Sequence, residues 1–316
     1  MKQSDDSATR ATGVLAFSGH ETFTLRHGWL TKAVDAIEKD GEAFASENAM
    51  TELGVGKNMV RSIRHWALAT GMLNETPGTR GANLYVTELG KLIFDEQSGL
   101  DRFNEDPSTL WLIHWKLATN ERRSTTWNWA FNLMSSIDFT RDGLQDLLES
   151  ELRRRNVVGP SEGSLKRDVD CFIRSYVRES TMRVSEDALE CPLADISLIQ
   201  GSTDRMLYTF NRGPQPSLTD AIFGYALLEY WALIHPNQET MAFSELAFGS
   251  GSPGVVFKLD ELSLITRLER LHDLTRGELT YGDTAGLRQV YGKGKRDPVG
   301  LLKQHYGSTS PTGVAA

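Results

Sequence analysis

The chain has 316 residues, 40% hydrophobic and 24% charged, with a net charge of −8, the profile of an ordinary soluble globular protein long enough for two or three domains. No apolar run reaches membrane-spanning length, since Leu110 to Ile113 stops at His114 and Lys116. The polar, acidic start MKQSDDSATRATG argues against a secretory signal, and Cys171 and Cys191 alone exclude a disulfide framework or a cysteine-built zinc site, which together fit a reducing cytoplasm.

In chain order, residues 1–16 are expected to be disordered, and 17–105 to form a winged-helix DNA-binding domain. Phe17 to Phe23 (FSGHETF) leads into an amphipathic helix from about Leu25 to Lys39, with Trp29, Leu30, Ala33, Val34 and Ile37 inward. A helix carrying Met50 and Leu53 breaks at Gly54. A second starts near Lys57, with Met59, Val60, Ile63, Trp66 and Ala67 recurring at helical spacing. Lys57, Arg61 and Arg64 share its other face, with Asn58, Ser62 and His65 beside them. Pro77-Gly78 and Arg80-Gly81 punctuate a hairpin tip, Leu84 to Val86 supply a returning strand, and Glu88 to Phe94 a short helix. Between Lys57 and Lys91 five basic residues face two acidic ones, a local +3 that leaves −11 for the rest of the chain. Such asymmetry favours a focused nucleic-acid face.

Residues 106–238 are expected to form a helical middle domain, entered through the polar loop Gln97 to Pro107. Trp111, Trp115, Trp127 and Trp129 suit a packed helical core or a seam between domains more than base stacking. Thr140 reads as the cap of a helix with Leu144, Leu147 and Leu148. After the loop Val157 to Gly163, Ser164 to Tyr176 completes a second helix-turn-helix-like pair, with Leu165, Val169, Phe172, Ile173 and Tyr176 inward and Lys166, Arg167 and Arg174 outward. Residues 239–306 repeat the layout as a C-terminal winged-helix-like domain. It comprises Phe243 to Phe248, a Gly/Ser/Pro turn, Val255 to Leu271, and strands at Leu279 to Asp283 and Leu287 to Tyr291. Asp260, Glu261 and Glu269 make that unit a structural or dimerising element unless the basic segment Lys293 to Arg296 meets phosphate, and residues 307–316 read as a flexible tail. The fold class is therefore mainly α: winged helix-turn-helix units with short β-hairpin wings around a Trp-rich helical middle.

The chemical candidates are sparse. Lys57, Asn58, Arg61, Arg64 and Arg80 suit a phosphate-lined groove, with Asn58 and Arg61 near the helix start where base edges come within reach. His20 and Glu21 pair a base with an orienting carboxylate, the catalytic candidates, although an N-cap-like Thr22 beside them also suits a structural role. Asp168 and Asp170 are candidate ligands for Mg or Mn, yet an offset of two on a helix points them apart. His114-x-Lys116, followed by Glu121, resembles the phospholipase-D-type nuclease signature with its aspartate replaced and no second copy. The lack of a P-loop and of a Gly-x-Gly-x-x-Gly argues against ATP or dinucleotide chemistry.

Four segments taken together, Phe17-x-Gly19-His20-Glu21-Thr22-Phe23-x-x-Arg26-x-x-Trp29-Leu30, Leu53 to Val60, Leu110 to His114 and Leu165 to Cys171, resemble a bacterial family long labelled as of unknown function. These are the SspB-like DNA nickases of the Ssp single-strand phosphorothioation system. The resemblance spans about Phe17 to Tyr306. It implies a cytoplasmic protein of an antiviral defence system that engages double-stranded DNA and nicks one strand, so that partner enzymes can exchange a non-bridging phosphate oxygen for sulfur. Implied partners are a cysteine desulfurase, an ATP-pyrophosphatase-type sulfur transferase and an ATPase. It carries no catalytic set. A non-catalytic winged-helix regulator or adaptor, with its C-terminal unit as a homodimer contact, would show the same helices.

Overall fold

The apolar stripe of the first helix closes on the rest of the chain as α1 (Trp29–Lys39), burying Trp29, Leu30, Ala33, Val34 and Ile37. It starts about four residues later than the stripe alone predicts, because Gly28 takes a left-handed conformation (φ 75°) at its N-cap. The structure, a computed structural model, describes residues 15–178, 191–204, 206–284, 286–293 and 297–309. Most of the segments expected to be disordered at either end, and Gly294 to Arg296 of the basic segment, lie outside the described residues. About half of the described residues are α-helical, joined by three small antiparallel sheets.

After α1 come α2 (Ala49–Leu53), α3 (Lys57–Ala69), a two-stranded ribbon of β1 (Leu73–Glu75) and β2 (Leu84–Val86) in register Leu73 to Val86, and α4 (Glu88–Phe94). Gly54 makes the turn between α2 and α3 at φ 65°, a backbone region that glycine enters without a Cβ penalty. The Thr87 hydroxyl caps α4 by accepting from the Gly90 N–H.

The middle consists of α5 (Pro107–Thr119), α6 (Thr125–Leu133), α7 (Arg141–Arg154), α8 (Glu162–Tyr176) and a 3₁₀ turn at Pro192–Ile196. A sheet of β3 (Asp138–Phe139), β4 (Ile199–Gly201) and β5 (Tyr208–Phe210), in order β3-β5-β4, completes it. The four clustered tryptophans are core residues, none more than 2% exposed, which settles their role as packing. Thr140 and Ser161 cap α7 and α8 through backbone N–H groups three residues on.

Helix α9 (Asp220–Ile234) is apolar all round and buried along most of its length, the pattern of a central helix. Around it stand α10 (Phe243–Phe248), α11 (Pro253–Val256), α12 (Glu261–Leu274) and α13 (Pro298–Thr309). The sheet of β6 (Thr240–Ala242), β7 (Leu279–Thr284) and β8 (Leu287–Gly292) runs in order β6-β8-β7. The helix expected from Val255 to Leu271 is thus two, broken at Phe257 to Asp260, where Asp260 caps α12. Helix α13 replaces the start of the expected tail. It buries Leu302 and Tyr306, and the Tyr306 hydroxyl meets Thr109 Oγ1 at 2.7 Å. One main core runs from Leu25 to Tyr306 and joins the predicted units, with a small separate cluster of Ala49, Leu53 and Val60 between α2 and α3. Among the described residues no helix is long and apolar enough to cross a membrane.

Candidate nucleic-acid interface

Helix α3 buries Val60, Ile63, Trp66 and Ala67, which turns Lys57, Asn58 and Arg61 into solvent on the opposite side. Arg80 is exposed on the loop between β1 and β2, in a left-handed conformation (φ 54°). Arg64, expected on the same stripe, is turned back instead. Its guanidinium donates to Glu75 Oε1 at 3.0 Å and to the Gly81 carbonyl at 2.9 Å, so it braces the loop of the hairpin against the end of β1. Arg123 reaches the same carboxylate at 2.6 Å. Hydrogen bonding from Arg123, then from Arg64, holds the Glu75 carboxyl below the usual range against the opposing effect of burial. The exposed cations of α3 are therefore Lys57 and Arg61. Arg61 pairs with Glu21 at 3.2 Å, with 55% of the arginine side chain still exposed.

The FSGHETF segment is a strap across three helices. The Ala16 N–H donates to Thr125 Oγ1 on α6, the Phe17 ring meets Trp129 edge-on, and the Trp66 indole of α3 donates to the Phe23 carbonyl. His20, 1% exposed, stacks on Trp66 and places Nε2 at 2.7 Å from Asp168 Oδ1 of α8. The same carboxylate accepts from the Ser18 N–H at 2.5 Å and, through its other oxygen, from the Thr126 hydroxyl. On the far side of the ring, Nδ1 accepts from the Thr22 N–H at 3.0 Å. Burial alone would depress this imidazole; Cys171 and the hydrogen-bonded Asp168 outweigh it and raise its pKa to about 10. The Thr22 N–H, aimed at Nδ1, works against that rise because it opposes a proton there, while Nε2–H faces Asp168 in either state. Gly19 is required here: a Cβ would lie 2.4 Å from Nδ1 of His65. His65 Nε2 is sealed without a partner, and burial, then the neighbouring His20, pushes its pKa down to about 3.

Side chains adjacent in sequence thus face opposite ways. His20 points into the core and Glu21 out to Arg61, so the expected base and orienting carboxylate do not form one site. Asp168 and Asp170 separate in the same manner. Asp168 is buried and engaged by three donors, whereas Asp170 pairs at the surface with Arg141 at 3.0 Å. They do not fit a shared Mg or Mn ion, and among the described residues no three His, Cys, Asp or Glu side chains converge as a metal site. The phospholipase-D-like triplet is dispersed too. His114 is buried between the Tyr176 hydroxyl and the Val256 carbonyl, Lys116 pairs with Glu229, and Glu121 accepts from Trp129 and Arg155.

Beside the strap lies a cavity of about 310 Å³ lined by Thr22, Arg141, Arg167, Asp170 and Arg174. Helical spacing on α8 identified Arg167 and Arg174 as outward. Arg141, from the first turn of α7, joins them only through the packing of α7 on α8, which no local periodicity announces.

Residues 17–306 match a family of proteins of unknown function, DUF4007. Two solved structures resemble the whole fold. One is a magnesium-ion-bound crystal structure of SspB, 30% identical at a TM-score of 0.86 and covering 95% of this chain and 91% of that one. The other is a crystal structure of SspB, 30% identical at a TM-score of 0.84 and covering 94% and 90%. Curated protein sequences offer no match. With a family model spanning nearly its full length and this structural likeness at both ends, the chain belongs to the SspB-like DUF4007 family.

Proposed function

We propose that this protein is the DNA-binding, strand-nicking component of a bacterial phosphorothioation system, and that α1 to β2 act as a winged helix on duplex DNA. The observation that carries the reading is the exposed edge formed by Lys57, Asn58 and Arg61 at the start of α3 with Arg80 on the hairpin, in a chain whose net charge is −8. A helix presenting its first residues to the major groove, with a ribbon alongside to meet the flanking backbone, is a recurrent docking geometry. Lys57, Arg61 and Arg80 would neutralise phosphates, and Asn58 suits an adenine edge or a phosphate. The C-terminal unit adds a third strand, β6 between α9 and α10 and paired with β8, an order that suits a second winged helix. Partners in this reading are a cysteine desulfurase, an ATP-pyrophosphatase-type sulfur transferase and an ATPase. The ion in the relative's crystal structure is not assigned to Asp168 or Asp170: Asp168 is buried among three donors, and Asp170 pairs through Oδ1 with Arg141.

A second reading, a non-catalytic DNA-binding adaptor, draws support from the burial of His20 and Asp168, both 1% exposed and out of reach of a phosphodiester. Leu262 and Leu287, 75% and 60% exposed on the C-terminal unit, suit a protein contact within that reading, including a homodimer.

Two measurements test these readings. A Lys57→Ala, Arg61→Ala variant should bind duplex more weakly and lower the salt slope by about 1.8, at about 0.9 for each phosphate no longer neutralised. An unchanged affinity and slope would remove α3 from the interface. Supercoiled plasmid incubated with the pure protein and magnesium or manganese separates nicking, seen as open-circle product, from a mobility shift alone.

A further inference from the structure

The cavity between the strap and α8 is a built anion site outside the α3 edge. It gathers three guanidinium groups around one carboxylate. Arg141 is held by Asp170 at 3.0 Å and lies over the Tyr208 ring, with 41% of its side chain still exposed. Arg174 donates to the Thr22 carbonyl at 2.6 Å and to the Asp170 carbonyl at 3.4 Å, and Arg167 to Ser164 Oγ at 3.0 Å. Each fork is thereby oriented before any ligand arrives, and Asp170 offsets one charge of the three. A preorganised arginine fork matches the paired oxygens of a phosphate, and the entropic cost of ordering it has already been met by the fold.

Its position relative to α3 specifies the ligand. Glu21 and Thr22 are consecutive residues: the Glu21 carboxylate contacts Arg61 of α3, and the Thr22 carbonyl accepts from Arg174 of α8. The turn itself is rigid. Ser18, Glu21 and Thr22 all hold positive φ (59°, 49° and 69°), kept there by the bonds of Asp168 to Ser18 and His20 and of His20 to Thr22. Two basic patches are therefore fixed on either side of one dipeptide, each facing solvent. We propose that Arg141, Arg167 and Arg174 form a second backbone site that grips a phosphodiester of the same DNA whose groove receives α3, with the His20–Asp168 clasp holding the two patches in register. This inference rests on the DNA-binding reading above.

The full chain carrying Arg167→Gln and Arg174→Gln should bind duplex roughly tenfold more weakly at moderate salt and lose about 1.8 from the salt slope. Arg167→Gln alone, which forfeits only the bond to Ser164, should lower the slope by about 0.9 with no change in melting temperature. Normal affinity and slope in both variants, alongside a weakened Lys57→Ala, Arg61→Ala protein, would overturn the second site and leave the α3 reading standing. The converse pattern would retain the arginine site and remove α3, and full binding in every variant would remove both. Inorganic phosphate and polyglutamate are the competing probes. Displacement of duplex by polyglutamate, lost in the arginine variants while their duplex affinity stays normal, would reassign the cavity to an acidic protein surface. Saturation by inorganic phosphate with no contribution to duplex binding would reassign it to a free anion.

Discussion

Glu21 is the residue whose neighbours change its meaning most. In sequence it stands beside His20 as a candidate catalytic carboxylate; in the folded chain it sits against Arg61, where it competes with any phosphate for the guanidinium. An exposed pair of this kind contributes at most about 1 kcal/mol, weak enough for a polyanion to displace. Glu21→Gln should therefore tighten duplex binding by about threefold at low salt, converging on the parent as salt screens the competition. Titrations at several salt concentrations check this, and a loss of affinity would show that the carboxylate itself serves the DNA complex. His20 carries the opposite lesson. A histidine with a carboxylate partner reads as general-base chemistry, yet both groups are buried and their bonds lock the strap onto α3 and α8.

At the scale of elements, α3 and its hairpin behave as one unit because Arg64 ties them together through Glu75 and Gly81. Arg64→Ala removes a half-buried hydrogen-bonded pair and should cost on the order of 1 kcal/mol of stability. Its direct effect on the salt slope should be small beside that of Arg61→Ala. Denaturant unfolding and duplex titration of the two variants distinguish these outcomes; equal slope losses would mean that Arg64 swings out to phosphate. Helical register on α3 was readable because Val60, Ile63, Trp66 and Ala67 repeat at 3.6 residues, and Leu84 to Val86 announced a strand beyond turn residues. The three-residue strands β4 and β5 and the two-residue β3 are too short to show a period-two pattern, and α9, apolar on every side, has no face to read.

Across the whole molecule the shared core sets the response to acid. Burial holds His114 and His65 down to about 3, against about 6.5 in an unfolded chain. Between those values the unfolded chain takes up the protons and the native chain does not. The contribution of these two rings is thus intact above pH 6.5 and falls below it, by up to about 1.4 kcal/mol per pH unit for each ring. Urea midpoints measured from pH 7 to pH 5 should decline on that slope and flatten by about one proton in His114→Asn; a flat profile in the parent would show that both rings are protonated in the native state. Local periodicity was sufficient to place α3, α7, α8, the ribbons and the outward cations other than Arg64, since amphipathic spacing depends only on residues a few positions apart. Which cations stay available was decided by pairings across 11, 29 and 40 positions, from Glu75 to Arg64, Asp170 to Arg141 and Glu21 to Arg61. Charge pairing acts through space, and only the packing of distant helices brings those oxygens within reach.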